Sequence, residues 1–172
     1  MTVPLIQAKY EEKAILAALK KNYSAISQVF DRYYLYTGIR LLPSNLANKD
    51  EIKSVLFKYM NSIKDCNTDN CVTASSFSDV YKTYNGNNAN GYRFNDGQFI
   101  LSDGSMIFIE GNYTYISVDV KGYKKKPNRL GKDLFTFLLL NNGKLLPMGA
   151  VGTSLTMKTN IVLKLHQPGG TV

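Results

Sequence analysis

The chain has 172 residues, of which 44% are hydrophobic and 20% are charged, and its formal net charge is +8. This length can bury one sizeable hydrophobic core, and the low charged fraction excludes a chain that is disordered throughout. No stretch approaches the roughly 18 to 20 apolar residues that span a bilayer. We expect one domain over residues 1–172, with a positive charge that favours acidic partners such as nucleic acid, anionic lipid or an acidic subunit.

A long amphipathic helix is predicted over residues 1–36. Its apolar side chains recur at steps of three and four residues: Ile15, Leu16, Leu19, Tyr23, Ile26, Phe30 and Tyr33. Pro4 is tolerated in a first helical turn, and Gly38 is suited to ending the helix. About thirty residues is long for a helix of a globular protein. The length therefore suggests a helix that continues upstream of residue 1 in a longer protein.

A second helix is predicted over residues 49–64. Its apolar residues fit the i, i+3, i+4, i+7 pattern: Ile52, Val55, Leu56, Tyr59, Met60 and Ile63. We expect it to end near Lys64, where a loop bounded by two cysteines begins.

The C-terminal half is predicted to form an antiparallel sheet within residues 98–165. Five short runs are rich in β-branched and aromatic residues: Phe99–Leu101, Ser105–Glu110, Tyr113–Val120, Leu134–Leu140 and Lys144–Leu146. Asp103-Gly104, Gly111-Asn112 and Asn142-Gly143 separate them with typical hairpin turns. Residues 151–165 are candidates for one or two further strands. The expected fold class is α+β, with a long N-terminal helix and a second helix packed on the sheet.

The two cysteines, Cys66 and Cys71, enclose four polar residues. A thioredoxin-like redox pair would have two residues between them. A zinc site, the alternative interpretation, would normally need four ligands, and the one histidine of the chain, His166, is far away in sequence. The spacing favours a local disulfide in an oxidising compartment, worth about 2 kcal/mol of stability.

Residues suited to catalysis are sparse. His166 is the one candidate base, and neither a nucleophile elbow nor a phosphate-binding glycine loop accompanies it. The remaining acidic candidates are explained as turn formers: Asp65, Asp69, Asp79, Asp96 and Asp103. We expect the protein not to be an enzyme.

The segment 119–137 has an unusual concentration of turn residues and charge. In a structural interpretation, Asp119 and Asp133 accept hydrogen bonds from the backbone of the loop between them. In the alternative, the same carboxylates bind calcium, a cation that prefers oxygen ligands. Four nearby lysines would repel a divalent ion and favour the first interpretation: Lys121, Lys124, Lys125 and Lys126. We expect no other cofactor.

The same loop, residues 121–132, is also a candidate nucleic-acid contact. Six basic side chains could bind phosphates: Lys121, Lys124, Lys125, Lys126, Arg129 and Lys132. Tyr123 lies within this run and could stack on a base. The alternative is a solvated charged loop without a ligand.

The chain resembles the type IV pilins and the type II secretion pseudopilins. In the segment 119–137, eight residues match a pattern found in that family: Asp119, Gly122, Pro127, Asn128, Gly131, Asp133, Phe135 and Phe137. The runs 99–109 and 142–149 and the helix after Pro4 are also similar. The matching regions cover about half the chain. Lys121 departs from the pattern, which has asparagine there, and the prepilin-peptidase site and conserved glutamate of the family do not occur in this sequence.

The resemblance implies a structural subunit of a type IV pilus or a type II secretion pseudopilus. Such a subunit would be anchored in the inner membrane by an N-terminal helix that precedes this sequence. It would then assemble with other subunits into an extracellular or periplasm-spanning filament. Implied partners are those subunits and, in some filaments, DNA or surface ligands. A DNA-uptake pilin that uses the basic loop 121–132 is the alternative function. The resemblance assigns no role to residues 155–172.

Overall fold

A computed structural model describes residues 3–46, 50–151 and 153, with residues 3–5 described by their backbone alone. The predicted N-terminal helix is confirmed as α1, which spans Val3–Thr37 and contains 35 residues. It ends at Gly38, whose φ of +70° is readily adopted by glycine, and the Gly38 N–H donates to the Tyr34 carbonyl at 2.8 Å. None of the described helices is both long and apolar enough to cross a membrane.

The sheet has six antiparallel strands, and each strand pairs with the next in sequence. The strands are β1 Ser62–Asp65, β2 Gly97–Leu101, β3 Met106–Glu110, β4 Tyr115–Asp119, β5 Leu134–Leu139 and β6 Leu145–Pro147. Each of strands β2 to β6 overlaps one of the five predicted runs, with ends that differ by at most two residues. The fold is therefore α+β, as predicted, while residues 152 and 154–165 of the predicted sheet region lie outside the described residues.

The second helix is shorter than predicted. Helix α2 spans Glu51–Tyr59, with Asp50 at its N-cap, so the predicted range 49–64 is wrong at its C-terminal end. Ser62 begins β1 instead, and Ile63 is 66% exposed on that edge strand. Ile63 continues the helical spacing from Met60, but pairing of β1 with β2 decides its conformation. Strand β1 therefore also lies outside the predicted sheet region.

One face of the sheet, here called the helix face, is covered by α1 and α2. Leu19 and Ile26 of α1 and Ile52 of α2 are fully buried there. They pack on side chains from the middle of the sheet: Phe99, Ile107, Ile109, Ile116, Val118, Phe135 and Phe137. The amphipathic stripe of each helix thus accounts for the larger hydrophobic cluster.

The opposite face, here called the loop face, is covered by residues 66–96 and by the connection from β4 to β5. It contains α3, a single helical turn at Phe77–Val80, and a 3₁₀ turn at Gly91–Arg93. Phe77 stacks on Phe94 with ring centroids 4.4 Å apart and meets Phe108 of β3 edge-on at 5.8 Å. This second, largely aromatic cluster was not predicted from the sequence.

Candidate functional site

The connection from β4 to β5 contains the basic loop, residues 121–132, and is fixed at both ends by a buried carboxylate. Asp119 Oδ1 accepts hydrogen bonds from Lys121 N at 3.0 Å and from Gly122 N at 2.9 Å. Asp133 accepts from Asn128 N at 2.8 Å and from Arg129 N at 2.6 Å. These are the hydrogen bonds of the structural interpretation.

The backbone of the basic loop adopts conformations that few residues allow. Gly122 has a φ of +78°, and a Cβ there would lie 2.2 Å from the Gly104 carbonyl oxygen. Asn128 also has a positive φ, of 50°, and its Nδ2 donates to the Tyr123 carbonyl at 2.8 Å. The Lys126–Pro127 peptide bond is cis. Gly122, which has no room for a side chain, and the hydrogen bond from the Asn128 side chain hold the loop in one shape.

Tyr81 supports this loop from the interior of the loop face. Its hydroxyl donates to Asp119 Oδ2 at 2.5 Å, and both side chains are fully buried. Burial raises the pKa of Asp119 to about 6, although the hydrogen bond from Tyr81 opposes the change. Burial likewise raises the pKa of Asp133 and that of Tyr81. The sequence gives no signal for this contact, because Tyr81 and Asp119 are 38 residues apart.

The geometry fits calcium poorly. All four carboxylate oxygens of Asp119 and Asp133 accept hydrogen bonds from the protein, and Lys121 lies close enough to lower the pKa of Asp133 against the effect of burial. Within the described residues, no three His, Cys, Asp or Glu side chains are grouped to hold a metal ion. Calcium binding at these carboxylates stays a prediction.

Some of the predicted nucleic-acid contacts are accessible to a ligand, whereas Lys121 and Tyr123 are engaged with other parts of the protein. Lys124, Lys125, Lys126 and Lys132 are exposed, and Arg129 is half-buried. Lys121 instead forms an ion pair, with its Nζ 2.8 Å from Glu11 Oε1 of α1. Tyr123 is half-buried against the aromatic cluster of the loop face, which restricts access to its ring.

The turn at residues 82–88, which the sequence did not indicate as part of a binding site, lies beside the basic loop. Lys82 N donates to the Asn128 carbonyl, and Leu130 N donates to the Lys82 carbonyl, both at 3.0 Å. These bonds bring Tyr84 close to the loop, where Lys132 Nζ lies 5.7 Å from the centre of its ring. One feature of the sequence could have indicated that these segments form a common positive surface: residues 80–95 and 120–132 both lack Asp and Glu.

The cysteine pair is a disulfide, as predicted, which overturns the zinc interpretation. Gln98 of β2 holds the end of this loop: its Nε2 donates to the Val72 carbonyl at 2.7 Å, and its Oε1 accepts from Val72 N at 3.0 Å. The disulfide therefore closes a turn that is bonded to the sheet.

No protein-family model, curated protein or solved structure matches this chain. The architecture itself is a long N-terminal helix packed on an antiparallel sheet, with one disulfide. This arrangement is compatible with a pilin-like fold.

Asp69, Asp96 and Asp103 lie in turns or bends, as predicted. Asp65 is the last residue of β1, and Asp79 lies in α3, so the prediction of a turn former is wrong for Asp79. Asp69 accepts a hydrogen bond from Ala74 N, Asp96 from Gly111 N and Asp103 from Ser105 N, each at 3.0 Å. Asp65 accepts from Asn67 N at 2.7 Å and pairs with Lys53. His166 lies outside the described residues. These carboxylates are engaged in local structure rather than gathered around a shared cleft.

Proposed function

We propose that this protein is a non-enzymatic, structural subunit of a filament of the type IV pilus or type II secretion pseudopilus class. The observation that carries the proposal is the length of α1 relative to the sheet that it covers. At about 1.5 Å per residue, its 35 residues extend roughly 50 Å. The fully or nearly fully buried apolar side chains that α1 contributes to the core lie between Leu19 and Phe30.

Within the described residues, the sheet does not cover the N-terminal part of α1. Every residue from Ile6 to Ala14 is exposed, which amounts to more than two turns with no buried face. Tyr10 is 70% exposed and Ile6 is 41% exposed. A helix that presents apolar side chains on an uncovered stretch is suited to packing against helices of neighbouring subunits. Helix packing in a filament therefore supplies a role for this stretch.

In this proposal, an apolar segment preceding α1 in the full-length protein holds the subunit in the inner membrane before assembly. The subunit then joins a filament that spans the periplasm or extends outside the cell. The helix core of the filament would leave the loop face of each subunit on the outer surface, where binding partners have access. An oxidising compartment also suits the Cys66–Cys71 disulfide.

Cysteine labelling of assembled filaments tests the proposal. The full-length gene is expressed in its host with Tyr10→Cys on the uncovered stretch of α1 or, as the matched control, Asn87→Cys on an exposed turn. Both native cysteines are in the disulfide, so background labelling by maleimide is low. We expect filaments sheared from cells to contain the protein, with position 10 protected from maleimide and position 87 labelled.

Two results would contradict the proposal. The first is absence of the protein from sheared filaments and membranes of cells that express it. The second is equal labelling of positions 10 and 87 in isolated filaments, since the uncovered stretch would then not be an assembly surface.

A further inference from the structure

Two segments that are far apart in sequence form one surface on the loop face. The turn 82–88 and the basic loop are joined by the two backbone hydrogen bonds between Lys82 and the Asn128–Leu130 segment. Gly86 also lies near the Arg129 guanidinium: a Cβ placed on Gly86 would be 3.7 Å from Arg129 Nη2. We call the result the cationic surface, which comprises Tyr84, Lys124, Lys125, Lys126, Arg129 and Lys132.

Among the described residues, no carboxylate forms an ion pair with the exposed lysines of this surface. The two segments from which it is built contain no acidic residue. Asp119 and Asp133 lie beneath it, but both are buried and bonded to the loop backbone. Glu11 forms an ion pair with Lys121, which is not part of the cationic surface. Within the described part of the chain, Lys124, Lys125 and Lys126 have no carboxylate partner.

An aromatic ring is available at the edge of these charges. Tyr84 is 50% exposed, and Lys132 Nζ lies 5.7 Å from its ring centre. Tyr123, the ring that the sequence suggested, packs against the aromatic cluster instead. A base that stacks on Tyr84 would bring its own phosphate near Lys132, the cation that lies beside this ring. Stacking next to basic side chains is common to proteins that bind single strands.

The cationic surface is also preorganised, and the described residues around it present no exposed aliphatic side chain. Asp119, Asp133 and Gly122 fix the loop backbone before any ligand arrives, so little order has to be gained on binding. Val120 and Leu130 are half-buried rather than displayed to solvent. Binding to a bilayer would therefore rest on charge alone, whereas a nucleic acid can also stack a base on the exposed ring of Tyr84, which favours nucleic acid.

We infer that the cationic surface binds single-stranded nucleic acid, with its lysines on the phosphates and a base stacked on Tyr84. Binding does not require that the protein be assembled into a filament. It would add a ligand to the exposed side of a filament subunit, and it would equally suit the isolated chain.

Fluorescence anisotropy with the present chain and a labelled oligothymidine of about 15 nucleotides tests this inference. We expect binding that weakens about fiftyfold between about 50 and about 200 mM salt, as four phosphate contacts to a single strand would give. Tyr84→Ala should weaken binding about tenfold, and Tyr84→Phe should preserve it because the ring is kept. The double change Lys125→Ala with Lys126→Ala should reduce the salt slope by about 1.4.

Matched controls lie on other surfaces. Tyr36→Ala removes a tyrosine that is 74% exposed at the far end of α1, and Lys20→Ala removes an exposed lysine of the same helix. Neither should change the affinity for the oligonucleotide by more than about twofold. Circular dichroism of each variant verifies that the fold is intact.

Several results would overturn the inference. These are absence of binding at low salt, tighter binding of the matched duplex with no effect of Tyr84→Ala, and binding of heparin without binding of the oligonucleotide. The last result would indicate an anionic polysaccharide. None of them bears on protection of Tyr10→Cys in filaments, so the proposed function stands or fails separately.

Discussion

The two faces of the sheet are built in different ways. On the helix face, two regular helices place aliphatic side chains on the strands, and Leu19, Ile26 and Ile52 are fully buried there. On the loop face, irregular segments bury aromatic rings and polar groups, including Tyr81 and Asp119. The helix face therefore follows from local periodicity, whereas the loop face depends on contacts between residues that are distant in sequence.

The largest expected effect lies at the centre of the loop face. Phe77→Ala removes a ring that stacks on Tyr81 and Phe94 and meets Phe108 edge-on. We expect it to lower the free energy of unfolding by about 4 kcal/mol, because a buried phenylalanine leaves a large cavity. Urea unfolding followed by circular dichroism measures this change.

Leu19→Ala is the matched change on the helix face, where Leu19 is fully buried. We expect a loss of about 3 kcal/mol, within the usual range for a buried leucine. If Phe77→Ala costs less than about 1 kcal/mol while Leu19→Ala costs the full amount, the loop face does not contribute to the cooperative core.

The second prediction concerns the pH dependence of stability, which should have opposite signs for buried carboxylates of the loop face and for Asp103 near α1. Burial raises the pKa of Asp119 from an ordinary value of 3.8 to about 6, so the folded protein retains a proton that the unfolded chain has released. The stabilising contribution is therefore complete below about pH 4 and is lost as the pH rises through about 6. The loss amounts to ~3 kcal/mol. Asp133 and Glu110, whose pKa values burial also raises, act in the same direction.

Asp119→Asn provides the control, because an amide does not titrate. The stability of the native protein relative to this variant should fall between about pH 4 and pH 7, as measured by urea unfolding at several pH values. Asp103, near α1, behaves in the opposite sense: burial is outweighed by the hydrogen bonds from Lys21 and Ser105, which lower its pKa. A difference between native protein and Asp119→Asn that is independent of pH would contradict the prediction.

The same contrast explains what could be predicted from the sequence. Helix α1 and strands β2 to β6 were located because apolar spacing and Gly-containing turns specify them locally. Strand β1 was assigned to a helix, since Ile63 continues a helical pattern that strand pairing overrides. Of the site, the roles of Asp119 and Asp133 were foreseen from their places in a turn-rich loop. Tyr81 and Tyr84 were not, because hydrogen bonds across about 40 residues carry no local pattern.

The third prediction tests whether the disulfide matters to the loop face as a whole. Replacing Cys66 and Cys71 together by serine opens a turn that Gln98 still bonds to β2. The closed loop is short, so we expect a loss of about 2 kcal/mol in the free energy of unfolding. Adding a reductant to the native protein should give a similar change and leave the serine variant unaffected. A loss near that of Phe77→Ala would show that the disulfide organises the aromatic cluster.

The smallest expected effect belongs to the ion pair between Lys121 and Glu11, the contact through which the basic loop meets the uncovered stretch of α1. The Glu11 side chain is 58% exposed, so Glu11→Gln should change the free energy of unfolding by at most about 1 kcal/mol, and less at high salt. Lys121→Met should cost more, because Lys121 also lies near the buried carboxylate of Asp133. Urea unfolding of both variants at low and high salt separates the two contributions: the Glu11 part is screened by salt, whereas the Asp133 part is shielded from it. Equal losses for the two variants would mean that Lys121 stabilises the protein through Glu11 alone. The buried carboxylates of the loop face would then be stabilised by their hydrogen bonds, without a contribution from the charge of Lys121.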